Sequence, residues 1–203
     1  MSSDTVALAL LAAIALGLVA IETGPSRSRE LALVAALAAV AAGGRVLFAA
    51  IPNVQPVTMI TAVTGASLGP RAGLATGAAA ALASNAFLGQ GPWTPWQMLG
   101  WGLVGLIAGW MPRVLRNRFA LAAFGIVCGF GFDWLMDVWE WSAFGPGADA
   151  SSFVALVSAG IWFDVAHAAG NAVIALVAGT GLIRMLDRYD RRLHGSFAPM
   201  EGT

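Results

Sequence analysis

An all-α membrane protein, a bundle of six helices with one additional N-terminal transmembrane helix, is the fold that three observations predict. Hydrophobic residues make up 58% of the 203 and charged residues only 11%, against the roughly 25% charged of a soluble domain. The apolar residues fall in long runs rather than in the alternation of half-buried strands. Arginine supplies all eleven basic charges, because the chain has no lysine, and it lies almost entirely between those runs.

The elements follow from the punctuation. Thr5 to Ile21 is apolar with no positive charge ahead of it, which reads as a membrane helix and not as a secretory leader. Glu30 to Ile51 comes next. Pro56 to Leu68 starts on a proline, which favours a first turn, and is short for a span, so it is expected to tilt little or to be partly re-entrant. Pro70 to Leu88 and Pro95 to Met111 also begin on proline, and Arg118 to Trp141 follows a basic loop. An amphipathic or interfacial stretch, Ser151 to Gly160, precedes the last helix, Ile161 to Leu186. Residues 1–29 are thus an N-terminal helix and loop, 30–186 the six-helix core, and 187–203 a tail.

Arginine placement orients this parse, since cytoplasmic loops collect positive charge. Arg27 and Arg29, Arg71, the group Arg113, Arg116 and Arg118, and the tail group Arg184, Arg188, Arg191 and Arg192 all fall on one side. The opposite loops, Pro52 to Gln55, Gly89 to Thr94 and Ser142 to Ser152, have none. The expectation is a multi-pass protein of the cell membrane with its N-terminus outside and its C-terminus in the cytoplasm. Arg45 is the exception, and an arginine inside a span costs several kcal/mol unless it snorkels or finds a partner.

Polar residues of the spans cluster in the outer half. Asn85 and Gln90 close one segment and Gln97 opens the next; Asp133, Asp137 and Glu140 share a helix face by their spacing, as do Asp164, His167 and Asn171. Seven of the eight tryptophans, Trp93, Trp96, Trp101, Trp134, Trp139, Trp141 and Trp162, lie on the same side, and only Trp110 lies near the other. A plain interfacial belt has two sides, so this asymmetry points to a cavity open to the outside. Two outer loops, "IPNVQP" and "GQGPWTPWQ", combine proline rigidity, glycine turns, amides and flat aromatic surfaces, which suits a lid over an organic ligand.

Other classes lack their signatures. Net charge is zero, with no basic face for nucleic acid. Cys128 is the sole cysteine, which excludes disulfides and cysteine-based metal sites. There is no P-loop and no H-E-x-x-H, and no cofactor is expected.

"GRVLFAAIPNVQPVTMI", "GLATGAAAALASNAFLGQGPWTPWQMLGWGLVGLIAG" and "FDVAHAAGNAVIALVAG" resemble the substrate-binding S component of energy-coupling factor (ECF) transporters, over about Leu31 to Leu186. The resemblance implies a six-helix subunit that captures a vitamin from outside, then joins a transmembrane scaffold subunit and two cytoplasmic ATPases. It implies lids at Pro52 to Gln55 and Gly89 to Trp96, and a scaffold contact of small residues on the first core helix, here Ala32, Ala35, Ala36, Ala39 and Gly43. The additional N-terminal helix departs from the pattern. The two loops most resemble the cobalamin-type group, while the acidic cluster equally suits a cationic vitamin or precursor. The expected ligand-contacting residues are Asn53, Gln55, Gln90, Trp93 and Trp96 as lids, with Arg45, Asn85, Asp133, Asp137, His167 and Asn171 as polar lining.

Two alternatives start from the same residues. A stand-alone transporter would use Asp133, Asp137 and His167 as a proton relay, although alternating access expects a site nearer the midplane. An intramembrane enzyme would use these three to hold a metal.

Overall fold

The computed structural model describes residues 27–144 and 149–195. The predicted helix Thr5 to Ile21 lies outside them. The described chain is helical throughout, with no strand: α1 Arg27–Leu47, α2 Pro56–Leu68, α3 Pro70–Leu88, α4 Thr94–Trp110, a single turn α5 Pro112–Leu115, α6 Arg118–Phe144, α7 Ala150–Ile174, a π-helical turn Ala175–Gly179, and α8 Thr180–Gly195. Three stretches, Glu30–Leu47, Arg118–Ala143 and Ala150–Arg192, are long and apolar enough to cross a membrane.

Helix ends lie where prolines and glycines dictate. Pro56, Pro70, Pro95 and Pro112 stand in the first turns of α2, α3, α4 and α5, where a missing N–H costs nothing. Gly69 and Gly89, which end α2 and α3, have φ of 93° and 111°, values a side chain resists.

The last helix corrects the sequence parse. Ser151 to Gly160 is not a separate interfacial stretch, because α7 starts at Ala150 and continues through the π turn into α8. Asp149 caps it: its carboxylate accepts from the Ser152 N–H at 2.8 Å, and Ser152 Oγ accepts from the Asp149 N–H. The Ser152 N–H, with the hydroxyls of Ser151 and Ser152, holds the Asp149 carboxyl below the usual range. No proline follows until Pro199, so nothing breaks the helix, and the expected tail begins as helix.

The short α2 is the centre of the bundle. Val57, Thr58, Met59 and the run Thr61 to Ala66 are all buried, so this helix faces protein nearly all round. Met59 and the lower half of α2 join a core of Val63, Ala66, Val104, Leu115, Leu121 and Ile183. Its upper half joins Ala41, Val57, Ala81, Met98, Trp101 and Phe132. "Upper" here means the end where α1 and α3 finish and α2 and α4 begin.

α3 and α4 approach more closely than any side chain permits. A Cβ on Gly105 would fall 2.3 Å from the Gly73 carbonyl, and one on Gly77 would fall 2.3 Å from the Trp101 oxygen. Gly65 and Gly109 make similar contacts with Gly105 and Pro70. Small residues are what allow helices to pack this way without a hydrophobic driving force. The small-residue stripe of α1, Ala32, Ala35, Ala36, Ala39 and Gly43, is by contrast exposed.

Candidate functional site

The buried arginine organises the upper end. Arg45 is 9% exposed, in the last turn of α1. Its Nε donates to Gln55 Oε1 at 3.1 Å, and one terminal nitrogen donates to Ser84 Oγ at 2.7 Å and Asn85 Oδ1 at 2.5 Å. The guanidinium also lies 4.8 Å from the centre of the Trp101 ring, a cation–π distance. An arginine so partnered meets the condition for residing in a span.

From Arg45 the bonds run across the bundle. Gln55 Nε2 donates to Asn53 Oδ1 at 2.8 Å. Asn53 Nδ2 donates to Asp133 Oδ2 and to the Phe163 carbonyl, both at 3.0 Å, tying the α1–α2 loop to α6 and α7. Asn53 has φ of 51°, and asparagine is the non-glycine residue that tolerates the left-handed region best. The Asp133 carboxylate lies 3.1 Å from His167 Nδ1, and His167 Nε2 lies 2.8 Å from Thr58 Oγ1. Trp101 Nε1 donates to the same hydroxyl at 3.0 Å, returning to the ring that faces Arg45. Donors and acceptors balance with the imidazole proton on Nδ1: Nδ1–H donates to Asp133, and the Thr58 hydroxyl donates to Nε2 while accepting from Trp101. The circuit is closed.

A branch secures the α3–α4 loop. Asn85 Nδ2 donates to Thr94 Oγ1 at 2.9 Å and Gln97 Oε1 at 2.8 Å. Thr94 donates to Gln90 Oε1, and the exposed Gln90 reaches back to the Leu82 carbonyl. Trp93 meets Trp139 edge-on with ring centres 5.9 Å apart. This contact is made possible by length: α6 continues 11 residues beyond Asp133, about 16 Å at 1.5 Å per residue, so its last turns reach the loop.

Arg45, Asn85, Asp133 and His167, expected as polar lining, and Asn53 and Gln55, expected as lids, are therefore bonded to one another or through shared partners. Gln90 and Trp93, expected as lids, stand in the α3–α4 loop. Trp96 is half-buried with its indole N–H enclosed and unbonded, and one oxygen of half-buried Asp137 is likewise unbonded. Asn171 stands apart: it donates to the Gly125 carbonyl at 3.1 Å, joining α7 to α6, while its own oxygen finds no donor.

Thr58, Ser84 and Trp101 complete the circuit, and Asp164 joins the same end. Asp164 is 2% exposed, with one carboxylate oxygen unpartnered. The signal for Thr58 is the run Thr58, Thr61 and Thr64, one face of α2 and wholly buried. Among the described residues no three of His, Cys, Asp and Glu converge to hold a metal ion.

No protein family, no curated protein and no solved structure matches the chain.

Proposed function

We propose that the chain is the membrane-embedded capture subunit of an ATP-driven importer of the energy-coupling factor kind, taking up a cobalamin-type vitamin. The observation that carries this reading is the one-ended placement of polar groups. Side chains from α1, α2, α3, α4, α6, α7 and the α1–α2 loop meet at the upper end, and Trp96, Asp137 and Asp164 retain unbonded atoms there. A site at one end suits capture from one side of the membrane and delivery by other subunits.

The positive-inside distribution supports an upper end that faces out, an N-terminus outside and a cytoplasmic C-terminus in the cell membrane. The six-helix core with one added N-terminal helix belongs to the same proposal. The exposed small residues Ala32, Ala35, Ala36, Ala39 and Gly43 of α1 give a scaffold subunit a surface for close helix approach. Two cytoplasmic ATPases would supply the energy, and binding would require exchange of some circuit bonds for bonds to the vitamin.

The Asp133–His167–Thr58 connection favours a second reading, a stand-alone transporter coupled to protons, since it is an acid–base chain inside the bundle. Uptake of labelled vitamin by cells making the chain with and without ECF scaffold and ATPase subunits separates the two. The capture reading predicts uptake only with those subunits. Uptake without them that a protonophore abolishes would replace it with the second.

A further inference from the structure

The lower end of the bundle carries the opposite charge, sorted by helix face. On α8, Ile183 and Leu186 are buried and Asp187 and Asp190 share their side, half-buried. Arg116 donates to Asp187 at 2.9 Å. Arg184, Arg188, Arg191 and Arg192 lie on the other side, exposed, with Met185 and Tyr189 exposed among them. Acids thus face inward and bases outward along one helix.

The outward face holds only a shallow, open groove between side chains of this one helix. Met185, Arg188, Tyr189 and Arg192, spaced i, i+3, i+4 and i+7, line a groove of about 280 Å³. Met185 and Tyr189 make its lining mostly apolar, and Arg188 and Arg192 bring two guanidinium groups to it.

Helix continuity fixes its height. α8 prolongs α7, so the groove residues Met185 to Arg192 lie about 21 to 28 residues, or about 32 to 42 Å, along the helix from Asp164, just past the roughly 30 Å hydrocarbon layer. A helix face in water gains nothing from exposing Met185 and Tyr189, and one in hydrocarbon does not carry four arginines. The combination belongs at the boundary. Arg113 and Arg118, exposed on either side of Arg116 in the chain, add to the positive field at this end.

We propose that this groove seats the headgroup of an anionic phospholipid. Arg188 and Arg192 hold the phosphate oxygens, for which the planar guanidinium is suited, and Met185 and Tyr189 cover the first methylenes of the acyl chains. The proposal does not rest on the transport reading.

Native mass spectrometry of the full chain, purified with equal phosphatidylglycerol and phosphatidylcholine, tests it. The expected result is retention of phosphatidylglycerol over phosphatidylcholine by about tenfold, falling to parity in Arg188→Gln/Arg192→Gln and unaffected by millimolar inorganic phosphate. Should that double variant fail to fold, Met185→Ser/Tyr189→Ser is expected to reduce the retained lipid. Equal retention of the two lipids by the unaltered chain overturns the proposal. So does a preference that survives both pairs of substitutions. Displacement of the lipid by inorganic phosphate would mark a simple anion site and overturn it as well.

Discussion

Two seams hold this bundle together, and they are built from opposite materials. α3 meets α4 backbone to backbone, through Gly73, Gly77 and Gly105, with no room for one added carbon. Near Arg45, α1, α2, α6 and α7 meet through amides, a carboxylate, an imidazole and a hydroxyl. The first seam has one geometry, since dispersion at contact distance is lost as soon as the helices part. The second can be taken apart bond by bond and remade around a ligand, because each group will accept other partners. Trp101 belongs to both: its carbonyl lies against Gly77 and its ring lies between Arg45 and Thr58. The rigid seam therefore positions one wall of the adaptable one.

The largest effect is expected where the glycine seam is forced open. Gly105→Leu places a side chain inside the Gly73 backbone and should abolish folded protein, a loss beyond about 4 kcal/mol, read as the absence of a monodisperse peak in detergent. Next is Arg45→Met. It leaves the neutral acceptors Gln55, Ser84 and Asn85 without their donor, at a cost of about 1–3 kcal/mol for each group left unsatisfied. Thermal unfolding would register it as a large fall in midpoint, and vitamin binding should vanish with it.

These two predictions also separate what was legible in the sequence from what was not. Proline and glycine announced the ends of α2, α3 and α4, because those residues act locally. The one-sided crowding of Asn85, Asp133 and His167 was legible too, since it needs only helix spacing and the alternation of spans. Which group bonds which was not, because that depends on how helices are rotated about their axes, and Thr58 gives no local sign of reaching His167. The tight glycine seam was missed for the same reason: small residues abound on α1, α3 and α4 alike, and only packing selects the face that is used. The continuity of α7 escaped because Gly160 and the polar start of the segment resemble a break, while the Asp149 cap favours helix.

A sharper contrast compares two buried threonines. Thr58 bridges His167 and Trp101, whereas the Thr76 hydroxyl has no partner. Thr58→Val should destabilise by about 1–3 kcal/mol, and Thr76→Val should be neutral or stabilising, since it removes a buried unsatisfied group. Paired denaturation curves would show the difference. The smallest effect belongs to Gly43→Ala on exposed α1. A Cβ there meets nothing within 4 Å, so the variant should match or exceed the parent by up to about 1 kcal/mol of helix propensity. A loss of stability there would mean that Gly43 makes contacts beyond those of the described helices.

The most direct test of the capture reading is equilibrium binding of radiolabelled cobalamin to the purified chain in detergent, beside a panel of other vitamins and with no ATPase present. The account predicts tight, saturable binding of one vitamin, weakened at least tenfold, about 1.4 kcal/mol, by Asn85→Ala and by Trp93→Ala. Failure to bind any vitamin, with the circular dichroism of a folded helical protein, would contradict it.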